Sequence, residues 1–123
     1  MTIYISGPMS NLPEHNFPAF AEAARALRAK GYTVVSPHEC EEVDHSAPKP
    51  WDYYVRKDLI AMLQQCDTIA TLAGWGYSKG ARLEVYVAQQ LGFRQLEFSV
   101  GPLRWALIED LENGTNVVDE GAP

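Results

Sequence analysis

The spacing of apolar and polar positions changes period several times along this chain. Residues 2–6 form a short β-rich run, ended by Gly7-Pro8. Phe20, Ala23, Ala24 and Leu27 then recur at helical spacing, with Asn16 as N-cap and Pro18 tolerated in the first turn. Gly31 stops that helix. Residues 32–35 read as a second strand closed by Ser36-Pro37, and residues 36–51 as a long loop rich in acids and proline. Val55, Leu59, Met62 and Leu63 mark a helix over 52–65, and residues 68–73 a third strand. Gly74-Trp75-Gly76-Tyr77 breaks that strand. Ser78 then caps a helix whose buried face is Ala81, Val85, Ala88 and Leu91, and Gly92 ends it. Residues 95–100 suit a fourth strand and 102–111 a last helix.

Strands alternating with helices imply βαβ units and a parallel sheet. The expected fold is α/β: a flavodoxin-like or Rossmann-like three-layer α/β/α arrangement. Its sheet would have four or five parallel strands in the order of about 2-1-3-4-5. Ligands in such folds bind at the carboxyl ends of the strands, where the winding reverses between strands 1 and 3. The loops leaving those strands are Gly7–Asn11 and Gly74–Gly80, so topology alone brings two glycine-bearing loops together.

At 123 residues the chain fits one domain, expected over 1–112, followed by an acidic tail over 113–123. Hydrophobic residues at 46% and charged residues at 21% exclude a disordered chain or a coiled coil. The net charge of −6 is concentrated at the end. Five acids and no basic residue follow Arg104, leaving a nearly neutral body. That balance gives no footprint for duplex nucleic acid or an anionic membrane, and no run is long enough to span a bilayer. Residues 2–6 lack the basic start of a secretory leader, and two cysteines make no disulfide framework. A cytoplasmic location is expected.

Two acids stand in unexpected places. Glu84 lies one turn from both Ala81 and Ala88, inside its helix's apolar stripe. Its side chain leans toward the helix start, and the residue one turn earlier, Gly80, leaves space before it. Asp58 repeats the pattern between Val55 and Met62. Burying an ion is costly. Either each acid caps a neighbouring loop or pairs with Arg56 or Arg82, or the two form the carboxylate pair used at a glycosidic carbon.

These residues carry a resemblance. The segments Tyr4-Ile5-Ser6-Gly7-Pro8-Met9, Asp58-Leu59 with Asp67 following, and Gly74-Trp75 with Ser78-Lys79-Gly80-Ala81-Arg82-Leu83-Glu84 resemble the nucleoside 2-deoxyribosyltransferase-like superfamily. Within it the chain is most similar to the small DUF4406 group often carried by phages and prophages. In a phage setting its compartment would be the host cytoplasm. The resemblance runs from about residue 2 to residue 96.

The resemblance implies an N-glycosidic enzyme acting on a (deoxy)nucleoside or its 5′-monophosphate, as a hydrolase or a deoxyribosyltransferase. The glutamate matching Glu84 would attack the anomeric carbon and hold the sugar covalently. Asp58 would orient or protonate the base, and Tyr4 would hydrogen-bond the nucleophile. Ser6, Gly7, Pro8 and Met9 of the first loop would approach the substrate. Ser78, Lys79 and Gly80 would meet a phosphate at a helix start, and Trp75 would either stack on a base or pack in the core. The first loop lacks the further serine or arginine that hydrolases of the superfamily tend to carry.

The segment from His38 to His45 matches no zinc-ligand spacing, so no metal is expected; it reads as a solvated acidic loop, with His38 near enough to the cleft for a minor contact. The incomplete glycine pattern at Gly74-Trp75-Gly76 argues against a dinucleotide, and no cofactor is expected. The alternative reading is a non-catalytic module that binds, senses or sequesters a nucleotide. The expected partner is therefore a small-molecule nucleoside or nucleotide. A homodimer or larger homo-oligomer is also expected, because apolar groups including Trp51, Tyr53, Tyr54 and Ile60 extend around more than one face of the second helix.

Overall fold

The computed structural model describes residues 1–10, 12–40, 49–99, 104–107 and 117–119. Four strands form the parallel part of the sheet: β1 Thr2–Ser6, β2 Thr33–Val35, β3 Thr68–Thr71 and β4 Arg94–Ser99. Their spatial order is β2-β1-β3-β4. β1 pairs with β2 through Tyr4↔Val35 and with β3 through Ser6↔Thr71, and β3 continues to β4 through Thr71↔Glu97. β1 and β3 are buried on both faces, as the central strands of a covered parallel sheet must be.

The helices are α1 Phe17–Ala29, the four-residue α2 Pro37–Cys40, α3 Trp51–Gln65 and α4 Lys79–Gln90. Strand alternation divides the core. Ile3 and Ile5 point to one face, where α1 packs Phe20, Ala23, Ala24 and Leu27 against them and against Val34, Ala70, Leu72 and Leu96. Tyr4 and Ile69 point to the other, packing with Met62 of α3 and Val85 and Ala88 of α4. Three layers result, with α1 below the sheet and α3 and α4 above it. Crossovers on opposite faces leave β1 and β3 at the point where the winding reverses.

The far end of the chain differs from expectation. Arg104–Leu107, expected in a last helix, is a strand, β5. It runs antiparallel to β4 with Leu96↔Leu107 and Ser99↔Arg104 in register. Val117–Asp119, expected in the tail, forms β6 on its outer side, also antiparallel. A short apolar run does not reveal its period, and the open hydrogen-bonding edge of β4 decides the matter. The rest of 102–111 and of the tail lies outside the described residues, as do Asn11 and residues 41–48 of the acidic loop.

Asn16 does not cap α1 through its side chain. Its backbone is left-handed (φ 61°), and its amide donates instead to the Pro8 carbonyl at 2.9 Å, tethering the first loop. Ser78 does cap α4, accepting from the Ala81 amide at 3.2 Å.

Candidate active site

The period of β1 sets the site. Tyr4 and Ser6, two residues apart, point to the face covered by α3 and α4. Glu84, in the second turn of α4, meets both. The Tyr4 hydroxyl donates to Glu84 Oε2 at 2.7 Å, and the Ser6 hydroxyl donates to Oε1 at 2.6 Å. All three are buried, Glu84 being 6% exposed and Ser6 0%. Burial pushes the Glu84 carboxyl up from its ordinary 4.5 to about 7, against the opposing hydrogen bonds of Ser6 and then Tyr4. A carboxyl that titrates near neutrality is available as nucleophile or as acid and base.

The surrounding loops converge. Gly74 takes the left-handed conformation (φ 85°) needed to turn the chain after β3, and a Cβ built on it would lie 3.5 Å from the Pro8 ring. The loops leaving β1 and β3 therefore touch. Trp75, in the short 3-10 turn Trp75–Tyr77, is half-buried against the cluster around Tyr4 and Met62.

The first turns of α3 and α4 also meet. A Cβ on Gly80 would stand 3.9 Å from both the Trp51 ring and Val55, an ordinary contact, so the protein leaves room for a side chain there. Lys79 Nζ sits 4.3 Å from the Trp51 ring centroid, a cation–π arrangement. Asp58 follows Val55 by one turn of α3, and Glu84 follows Gly80 by one turn of α4. Asp58 is 7% exposed.

Several residues singled out in the sequence also make contacts within the fold. Ser6, expected against substrate, turns its hydroxyl to Glu84 and has no exposed surface. Gly7, expected to let the backbone approach a ligand, is required by packing: a Cβ there would fall 2.8 Å from Leu72 Cβ. Met9 packs against the α1-side core. Asp67 lies at the opposite end of the sheet, accepting from the Thr2 amide at 3.0 Å and from the Thr68 hydroxyl at 2.9 Å. His38 hydrogen-bonds Ser36 and faces the rings of Phe17 and Phe20. Burial holds its imidazole below the usual value. Glu39 pairs with Arg28 at 2.7 Å. Among the described residues no group of three His, Cys, Asp or Glu is placed to hold a metal ion, and no helix is long and apolar enough to cross a membrane.

Sequence reasoning missed Ser6 as a partner of Glu84, although its period-2 spacing from Tyr4 was a usable signal. It also missed that Trp51 lies beneath Lys79 and Gly80, for which the sequence offers no local sign.

Residues 1–96 match the domain of unknown function DUF4406. The chain belongs to this family. No curated protein matches this DUF4406 chain. Its fold is that of the nucleoside 2-deoxyribosyltransferases. The 2-deoxyribosyltransferase of the psychrotolerant bacterium Bacillus psychrosaccharolyticus aligns at a TM-score of 0.62 and 25% identity, over 80% of this chain and 72% of that one. The 2-deoxyribosyltransferase of Leishmania mexicana aligns at 0.58 and 23% identity, over 82% of this DUF4406 chain and 65% of its own length.

Proposed function

We propose that the protein acts on the N-glycosidic bond of a (deoxy)nucleoside or its 5′-monophosphate through a covalent glycosyl-Glu84 intermediate. The observation that carries this reading is Glu84 itself: a buried carboxylate bonded by two hydroxyls of β1, near the carboxyl ends of the central strands. Likeness to the deoxyribosyltransferase from B. psychrosaccharolyticus supports the substrate class.

In the first step a Glu84 oxygen bonds to the anomeric carbon as the carbon–nitrogen bond breaks. The electron pair leaves with the base, which takes a proton from Asp58 or water. In the second step water or another base attacks the same carbon and gives its proton to Asp58 or to water, as the carbon–oxygen ester bond breaks and returns its electron pair to Glu84. Tyr4 holds the nucleophile. Ser78, Lys79 and Gly80, at the start of α4, favour an anionic substituent such as a 5′-phosphate. The exposed apolar side chains Tyr53, Ile60 and Leu63 of α3 and Leu83 and Tyr86 of α4 favour a homodimer or larger assembly. The enzyme would work in a cytoplasm, the host's if a phage encodes it.

The test is a panel of nucleosides and monophosphates scored for free base, with intact-protein mass measured under acid quench. Base release, and a sugar adduct that disappears in Glu84→Gln, are expected. Ligand-dependent thermal shifts without release or adduct would instead establish a binding module.

A further inference from the structure

We propose that Ser6 is a positioning residue, whose hydroxyl fixes the plane of the Glu84 carboxylate and holds its negative charge in place. For its catalytic consequence this rests on Glu84 as the reacting group; its geometry stands without that reading.

The two donors reach different oxygens, Ser6 on Oε1 and Tyr4 on Oε2. An ionised carboxylate only accepts, so both hydroxyls must donate, and such charge-assisted bonds are short and strong. One donor would leave the carboxylate free to turn about its terminal torsion, which is broad and two-fold. Two donors rising from one strand close that freedom. Ser6 has no exposed surface, so bulk solvent does not compete for its hydroxyl.

The same arrangement governs charge. Against the burial that favours neutral Glu84, Ser6 supplies the larger opposing effect and Tyr4 the smaller. The titratable groups on the elements around Glu84 are Tyr4 on β1; Asp52, Tyr53, Tyr54, Arg56, Lys57 and Asp58 on α3, of which Asp58 is the buried one; Lys79, Arg82 and Tyr86 on α4 itself; and Arg94 and Glu97 on β4; β3 has none. Glu97 continues the row Ser6–Thr71–Glu97 across the sheet. Negative charge on Asp58 or Glu97 would favour neutral Glu84, so neither can replace the hydroxyls as the source of its ionisation.

The experiment titrates the Glu84 carboxyl in the whole, substrate-free protein by carbon NMR of labelled glutamate, with the signal assigned by its loss in Glu84→Gln. Ser6→Ala is expected to raise the midpoint by about one pH unit or more, and Ser6→Thr, which keeps the hydroxyl, to restore it. In turnover assays the acid limb of kcat/KM should move by the same amount, with KM unchanged on the alkaline side. An unmoved midpoint in folded Ser6→Ala overturns the proposal. Should that variant fail to fold, Ser6→Cys, with a weaker donor, must show a smaller rise, and no rise overturns the proposal equally. A raised midpoint in a protein that never releases base sustains the role of Ser6 and rejects the proposed function. Base release with an unmoved midpoint rejects Ser6 alone.

Discussion

Glu84 serves two ends that pull against each other. Its folded value of about 7 lies above the ordinary 4.5, so between those values the native state binds the proton more tightly than the unfolded chain. The stabilisation from the neutral acid is therefore complete below about pH 4.5 and is lost as pH rises through about 7. It amounts to about 3 kcal/mol across the interval. A nucleophile must be ionised, so activity should rise over the range in which stability falls. Denaturant melts from pH 5 to 8 should show wild type losing stability relative to Glu84→Gln; parallel curves would contradict the raised value. Glu84→Ala is a poorer probe, because it leaves the buried Tyr4 and Ser6 hydroxyls without this acceptor. Gly7 offers a simpler test. Gly7→Ala should cost about 1–3 kcal/mol through collision with Leu72, measurable as a lower denaturation midpoint.

At the scale of elements, the parts that were legible are those whose signal is local. β1 and the apolar stripe of α1 follow from period alone, and Ser78 caps α4 as its side chain suggests. Replacing Ser78 with alanine should cost about 1 kcal/mol and with glycine only a few tenths, since glycine tolerates the N-cap conformation. Equal losses in thermal melts would assign Ser78 more than a cap. The illegible parts depend on partners distant in sequence. Asn16 has the chemistry of a cap, yet the Pro8 carbonyl claims its amide. β5 is a strand because β4 presents an edge to it, a fact residues 104–107 do not contain. Glu84 and Asp58 were legible as buried acids because a helix stripe is local. The Ser6 bond joins residues 78 positions apart, and its one sign in the sequence is indirect, the period-2 spacing of Ser6 from Tyr4.

For the whole molecule, surface pattern bears on assembly. Tyr53, Ile60 and Leu63 lie along the outer side of α3, while Leu83 and Tyr86 stand on neighbouring α4. Light scattering at micromolar concentration should give at least twice the mass of one chain, and Ile60→Glu with Tyr86→Glu should lower it. A monomeric parent would remove the assembly claim.

The three-residue hydrogen-bonded unit of Tyr4, Ser6 and Glu84 also has a meaning in time. Its bonds span 80 and 78 residues of sequence, with all of α1, β2, α3 and β3 lying between. No early local turn can assemble it, and closing so long a loop waits on most of the core. During refolding, recovery of the Glu84 titration should therefore coincide with the slowest phase of native structure, and partly folded chains would carry no reactive carboxylate at all.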